Sequence, residues 1–297
     1  MPDTLLQKLD EAELDERIRE AHELLQPCRV CPRKCGAKRL DGERGFCGAG
    51  RELEISSCGP HFGEESVLVG ACGSGTIFLI GCSLRCVFCQ NYDISHLGRG
   101  YEVSAEQLAG AMMELQTRGC HNINSVTPTH FTPQILEALK AAKRQGLSVP
   151  LVYNCGGYES VETLKLLDGV IDIYMPDAKY ADPKVAERLS GAPDYPEVMK
   201  SALKEMHRQV GDLVVENNIA VTGMLIRHLV LPNGLAGTEE VMRFIASELS
   251  RDSYVNVMAQ YRPVFKAGEF PEINRRPTTQ EYLDAVASAV RQGVRPC

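Results

Sequence analysis

Residues 81–89 read GCSLRCVFC and place three cysteines, Cys82, Cys86 and Cys89, at the spacing C-x3-C-x2-C. An apolar run at 76–80 comes directly before them and has the length and composition of a buried strand. Three thiolates within eight residues can hold one side of an iron–sulfur cluster, but a [4Fe–4S] cluster normally takes four cysteine ligands. The missing ligand predicts an open coordination position, where a metal centre binds a substrate or cofactor.

A zinc knuckle or three unrelated core cysteines are the alternatives, but structural zinc needs a fourth ligand close by. With Phe88 before the last cysteine and QNY at 90–92 after it, the motif resembles that of the radical S-adenosylmethionine (SAM) enzymes. In that superfamily the free iron holds the amino and carboxylate groups of SAM. The resemblance makes Phe88 and Asn91 candidate cofactor contacts.

Composition and charge limit the class of protein. The 297 residues are 44% hydrophobic and 24% charged, as in ordinary globular enzymes, and the formal net charge is −7. The acidic balance predicts no nucleic-acid partner, and no apolar run reaches the ~20 residues that span a bilayer, so we expect no membrane partner. Twelve cysteines behind a polar, acidic N-terminus indicate metal ligation in a reducing compartment, which predicts a cytoplasmic protein.

The N-terminal region is predicted to hold a helix and then a metal-binding segment. Apolar residues at helical spacing indicate one helix over 1–26. Four cysteines follow in a glycine-rich stretch: Cys28, Cys31, Cys35 and Cys47. This stretch has too few apolar residues to fold alone, and a metal would stabilise it. Tetrahedral zinc and a second iron–sulfur cluster fit equally well; reduced, unliganded thiols are the alternative.

From residue 71 onward, predicted strands and helices alternate. The strands are expected at 76–80, 123–127, 149–153, 170–175, 223–231 and 254–260. Helices between successive strands indicate a parallel sheet, and six such units match the partial (β/α)6 barrel of the radical SAM enzymes. We therefore predict an α/β fold: an N-terminal helix (1–26), a cysteine-rich segment and connector (27–70) and a partial TIM-type barrel (71–297). The connecting stretch 51–75 is expected to be irregular, and Glu64 and Glu65 are expected to be solvated.

Chemistry on such barrels lies at the C-terminal ends of the strands. From Cys28 onward, the order of strand ends resembles the pyruvate formate-lyase activating enzymes and their PflX-like relatives. In that family the second strand ends in Gly-Gly-Glu, which holds the SAM amino group, whereas here 127–130 read TPTH. The resemblance gives this role to Thr129, to His130 or to a backbone carbonyl freed by Pro128. A histidine bonded to backbone is the alternative for His130.

Later strand ends carry further polar residues. Asn154 stands in NCGGY where the family has Asp-Thr-Asn-Gly-Phe, and MPDAK at 175–179 matches its Met-Leu-Asp-Leu-Lys. The resemblance implies that Asp177 helps to bind a monovalent cation beside SAM and that Lys179 borders the cofactor. Residues two apart on a strand share a face, so a plain salt bridge is the alternative. Arg227 is costly to bury without an anion, for which the SAM carboxylate is one candidate.

The resemblance implies an enzyme that cleaves SAM at a [4Fe–4S] cluster to methionine and a 5′-deoxyadenosyl radical, which abstracts hydrogen from a substrate. The electron would come from a donor such as flavodoxin or ferredoxin. No catalytic residue is assigned beyond the cluster ligands. The substrate is a glycyl-radical enzyme in one hypothesis and a small molecule or peptide in the other. A non-enzymatic electron-transfer module is a third, although it would not need a barrel with these strand ends.

Overall fold

The structure, a computed structural model, describes residues 4–296. Within this range nine strands form one sheet: β1 (Leu53–His61), β2 (Ser74–Leu79), β3 (Tyr101–Val103), β4 (Ile123–Val126), β5 (Leu151–Cys155), β6 (Ile173–Pro176), β7 (Val214–Glu216), β8 (Ile219–Leu229) and β9 (Tyr254–Met258). The α-helices are α1 (Leu5–Lys8), α2 (Glu11–Glu23), α3 (Ser66–Val69), α4 (Tyr92–Ser95), α5 (Ala105–Thr117), α6 (Thr132–Arg144), α7 (Val161–Lys165), α8 (Pro183–Ser190), α9 (Tyr195–Val210), α10 (Thr238–Phe244) and α11 (Thr279–Gln292). None of the helices described is both long and apolar enough to cross a membrane.

Six strands run parallel and pair in the order β2-β4-β5-β6-β8-β9. Strand β1 adds to the free edge of β2 in antiparallel orientation and carries β3, while β7 forms a hairpin with β8. The sheet is open, so the predicted α/β class and partial barrel are confirmed. Its six parallel strands are the six that the sequence predicts.

The parallel register decides which side chains face the interior of the partial barrel. Phe78, Val126, Asn154 and Met175 are aligned across β2, β4, β5 and β6, and aligned neighbours point to the same face. An apolar cluster fills the N-terminal part of this interior: Leu68, Val152, Ile173, Met175, Ala220 and Leu225. Polar residues that follow on the same faces therefore meet above this cluster, at the C-terminal edge of the sheet.

Two predictions for the N-terminal region need correction. The described part of 1–26 is two helices, because Asp10 caps α2 by accepting a hydrogen bond from the Ala12 amide at 2.6 Å; residues 1–3 lie outside the described part. The stretch 51–75 is not irregular throughout, since β1 occupies nine of its residues. Glycine and proline at 59–60 do not interrupt it, because β3 pairs only with Leu53–Ile55 and leaves this half of β1 with one free side, where proline is tolerated.

Glu64 and Glu65 are buried rather than solvated, with side chains only 7% exposed, because both bind Arg227 of β8. Arg227 donates to Glu65 through Nε at 2.9 Å and Nη2 at 2.6 Å, and Nη2 also contacts Glu64. Asn256 of β9 donates to Glu65 at 2.7 Å. Burial opposes the charge of Arg227, but the two carboxylates outweigh it and raise its pKa. This network ties the β1–α3 connector across the open edge of the barrel.

We expect Glu65→Ala to lower the free energy of unfolding by about 3–5 kcal/mol, because it leaves the buried Arg227 guanidinium short of its bidentate partner. Glu239→Ala is the matched control. Its ion pair with Arg243 is more than half exposed and should contribute less than about 1 kcal/mol. Denaturant unfolding measures both changes, and an equal effect of the two variants would contradict a structural role for the buried network.

Candidate active site

A cavity of about 340 Å³ lies at the C-terminal ends of the parallel strands. Its wall combines the loop that follows β2 with the ends of β4, β5, β6 and β8. Of the residues predicted from sequence, those in the wall are Cys82, Cys86, Cys89, Asn91, Asn154, Asp177, Lys179 and Arg227. Phe88, Thr129 and His130 are not among the lining residues, whereas Thr127, His61 and Glu64 are.

The cysteine loop is held by hydrogen bonds to its thiols. The Leu84 amide donates to Cys82 Sγ at 3.4 Å, the Ser190 hydroxyl to Cys86 Sγ at 3.0 Å, and Ser95 Oγ lies 3.1 Å from Cys89 Sγ. Hydroxyl and amide donors of this kind stabilise negative charge on sulfur. Each of the three sulfurs therefore has a polar neighbour that suits a thiolate.

The chemistry of the three thiols fits a cationic metal cluster. Burial, reinforced by the neighbouring Cys86, raises the pKa of Cys82 to about 12, and burial also raises that of Cys89. Thiolates in such a setting need the positive charge that metal ligation supplies. No group of three or more His, Cys, Asp or Glu in residues 4–296 has the spacing of a single-ion site. Three thiols on one loop suit a [4Fe–4S] cluster that is bound with one iron open.

Phe88 has a packing role. Its buried ring lies edge-on to Tyr180 and Tyr261, with centroids 6.4 and 5.6 Å away. The ring therefore anchors the loop between its second and third cysteines in the core and does not face the cavity.

The side chains of Thr129 and His130 also bond other buried groups of the protein. Thr129 donates to Glu159 at 2.8 Å, and Tyr153 donates to the same carboxyl at 3.2 Å. Burial raises the pKa of Glu159 to about 8, so this network holds a proton at neutral pH. His130 Nε2 lies 2.6 Å from the Ile80 carbonyl oxygen, and burial lowers its pKa to about 4. The alternative, a histidine bonded to backbone, therefore describes His130.

At the end of β4 the residue that lines the cavity is Thr127, not Thr129 or His130. It adopts φ 59°, a left-handed conformation that is strained for a β-branched residue. Its amide donates to the Asn154 carbonyl at 2.8 Å, while its hydroxyl makes no hydrogen bond with any other described residue. Glycine takes this conformation readily. Position 127 is therefore where the first glycine of the family's Gly-Gly-Glu motif would fit.

Asp177 and Lys179 form an ion pair in the wall of the cavity, with side chains 25% and 18% exposed. Burial opposes the charge of Lys179, but Asp177 and the Cys86 thiol outweigh it and raise its pKa. The Tyr195 hydroxyl fixes the turn by donating to the Asp177 carbonyl and accepting from the Lys179 amide, at 2.9 and 3.0 Å. The pair thus combines the predicted salt bridge with a position at the cavity.

The four N-terminal cysteines also come together. The Cys28 thiol bonds that of Cys35, and the Cys35 and Cys47 sulfurs lie 3.3 and 3.6 Å from where a Cβ on Gly45 would stand. Burial raises the pKa of Cys31, and the Cys47 and Cys28 thiols add to this effect. The backbone of this segment then joins the cavity loop, because the Cys82 amide donates to the Cys47 carbonyl at 3.2 Å.

Comparisons with known proteins agree with this geometry. Residues 76–224 match the family model of the radical SAM superfamily. An uncharacterised protein of Methanocaldococcus jannaschii is 36% identical over 93% of this chain and 78% of its own length. A pyruvate formate-lyase-activating enzyme of Clostridium pasteurianum is 26% identical over 63% of this chain and 74% of its own. The solved structure of a Sphaerobacter thermophilus radical SAM methyltransferase shares the fold, with TM-score 0.50 and 14% identity over 75% of this chain and 65% of that one.

We expect Thr127→Gly to raise the free energy of unfolding by about 1 kcal/mol, because it relieves the left-handed strain. The same variant should weaken SAM binding about tenfold, the value of one hydrogen bond to a charged group. Thr127→Asn is the control, since asparagine tolerates this conformation and keeps a polar side chain. Thermal unfolding and equilibrium binding of SAM to the reconstituted protein measure the two effects. Wild-type affinity in Thr127→Gly would exclude a role for the hydroxyl.

Proposed function

Because the chain belongs to the radical SAM superfamily, we propose that it reductively cleaves SAM and uses the 5′-deoxyadenosyl radical to abstract hydrogen from a substrate. Cys82, Cys86 and Cys89 would hold the [4Fe–4S] cluster, which supplies the electron for cleavage when bound. The observation that supports this proposal is that three thiols and the polar ends of the strands line one cavity.

The polar wall offers several groups for the amino and carboxylate ends of SAM. The side chains of Asn91, Asn154 and Thr127 make no hydrogen bond with other described residues, so their donors and acceptors are free for a ligand. Arg227 donates to the glutamates through Nε and Nη2, so its Nη1 is free to donate to a carboxylate of a ligand. A monovalent cation at Asp177 stays a prediction, since the Lys179 ammonium now contacts that carboxylate.

The substrate that we favour is a glycyl residue in an extended segment of another protein. A cavity of about 340 Å³ is near the lower limit of ~300 Å³ for small-molecule sites, so SAM would fill most of it. The substrate would then approach through the open side of the sheet, as a peptide segment can. Similarity to a pyruvate formate-lyase-activating enzyme supports the same substrate class.

The first test is SAM cleavage after anaerobic reconstitution with iron and sulfide. We expect the wild-type protein to form 5′-deoxyadenosine under dithionite, and Cys82→Ala, Cys86→Ala and Cys89→Ala each to lose cluster absorbance and turnover. None of the three ligands is dispensable, because removal of one leaves the cluster attached through only two thiolates. Cys72→Ala is the control, since this exposed thiol lies outside both cysteine sites. Near wild-type turnover in a ligand variant would refute the assignment.

The second test concerns the substrate. We expect a glycine-loop peptide of pyruvate formate-lyase, labelled with α,α-dideuterated glycine, to transfer deuterium to 5′-deoxyadenosine, as mass spectrometry would show. Unlabelled 5′-deoxyadenosine formed at the same rate with and without the peptide would instead favour a small molecule or another peptide. Absence of any SAM cleavage would favour an electron-transfer module.

We also propose a second metal centre at Cys28, Cys31, Cys35 and Cys47. Three observations support it: the Cys28 and Cys35 thiols adjoin each other, Gly45 leaves room beside the Cys35 and Cys47 sulfurs, and burial raises the pKa values of the Cys31 and Cys47 thiols, so that their thiolates need a compensating positive charge. Zinc and an iron–sulfur cluster both fit a set of four thiolates. All eleven described cysteines are free, as expected in the reducing cytoplasm where we place the protein.

A Cys82/Cys86/Cys89→Ala triple variant isolates this second centre. We expect it to retain metal after reconstitution, measured by metal analysis and spectroscopy; iron, sulfide and visible absorbance would assign a cluster. A colourless protein with about one zinc would assign zinc instead. A metal-free variant whose N-terminal segment still resists proteolysis would show that these cysteines are ordinary structural residues.

A further inference from the structure

The cysteine-rich segment differs in charge from the rest of the chain. Residues 27–51 contain seven lysines and arginines but only two acidic residues, whereas the whole chain has a net charge of −7. One of the seven, Arg39, is buried and bonds the carbonyls of Gly50 and His130. Most of the others lie at the surface, where Arg29, Arg44 and Arg51 are paired with nearby glutamates and Lys34 and Lys38 are not. A basic surface on an acidic protein favours approach of an acidic partner to this face.

An exposed aromatic ring lies at the centre of this basic surface. Phe46 is 44% exposed, and the guanidinium groups of Arg33 and Arg85 lie 4.3 and 5.9 Å from its ring centroid. Lys34 and Cys35 are exposed beside them, and the Phe46 amide bonds the Cys35 thiol. We call these five residues the Phe46 patch. Arg33, Lys34 and Arg85 have no acidic partner among the described residues. Because the Arg33 guanidinium already donates to four backbone carbonyls, the exposed Lys34 is the charge most available to a partner.

The Phe46 patch is built on the ligand loops themselves. Arg33 donates to the Ser83 carbonyl at 2.8 Å, and Arg85, which stands between Cys82 and Cys86, donates to the Phe46 carbonyl at 3.1 Å. Only a few residues would thus separate a protein bound here from the cavity cysteines. An aromatic residue flanked by arginines is also the composition that protein interfaces favour.

We propose that the Phe46 patch is the docking surface for an acidic one-electron carrier protein, such as a flavodoxin or ferredoxin, and the point where electrons enter the molecule. This inference rests on the proposed function. In each turnover the carrier would be oxidised by one electron, which the cluster held by Cys82, Cys86 and Cys89 would accept. Transfer of that electron to SAM would break one carbon–sulfur bond and give methionine and the 5′-deoxyadenosyl radical.

The test compares two reductants on the reconstituted full chain. Reduced flavodoxin is the carrier probe, and dithionite is the small reductant that needs no docking. We expect Lys34→Glu to lower flavodoxin-driven formation of 5′-deoxyadenosine about tenfold at limiting carrier, and Phe46→Ala to lower it as well. Both should leave the dithionite-driven rate unchanged. Lys8→Glu is the matched control, because this exposed lysine borders a separate cavity at the N-terminal ends of the strands.

Direct binding of flavodoxin, measured at low and high salt, gives a readout that is independent of turnover. We expect the dissociation constant to rise about tenfold in Lys34→Glu but not in Lys8→Glu, and the difference to shrink as salt screens the charges. Unchanged binding in Lys34→Glu, or equal losses with both reductants, would overturn the docking proposal. If the wild-type protein cleaves no SAM even with dithionite, the proposed function fails. The flavodoxin-binding measurement would then still decide whether the Phe46 patch is a docking surface.

Discussion

The two cysteine-bearing parts of the chain meet at one backbone contact, where the Cys82 amide donates to the carbonyl of Cys47. This approach requires glycine at position 81: its φ is 78°, and a side chain there would collide with the Cys47 carbonyl oxygen. The contact holds the loop after β2 against the N-terminal segment. Both sets of thiols, and the patch that lies over them, depend on it.

The cavity also depends on how its charges are balanced. Asp177 pairs with Lys179, and Arg227 pairs with Glu64 and Glu65, so each buried cation has its own carboxylate. Such pairs add little net stability, but loss of one member is costly. Their value here is positional. They fix polar groups around a small space while leaving the neutral side chains of the wall free to bind a ligand.

Two of the residues with strained backbones also lie in this region. Thr127 and Arg85 both adopt left-handed backbone conformations, one at the end of β4 and one within the cysteine loop. The surrounding sheet and core hold these residues in place, and strained residues of this kind cluster at functional sites. Their position agrees with the function proposed from the thiols.

The sequence by itself determined the cysteine loop, the six parallel strands and the polar residues at their ends. Spacing and periodicity are local properties, and parallel pairing necessarily brings strand ends to one edge. Only the tertiary structure decided which neighbour faces the cavity: at the end of β4 it is Thr127, because Glu159 takes the hydroxyl of Thr129 and the Ile80 carbonyl takes His130. It also buried Glu64 and Glu65, whose partner Arg227 lies more than 160 residues away. Contacts across such distances depend on how the elements pack, and no local pattern encodes them.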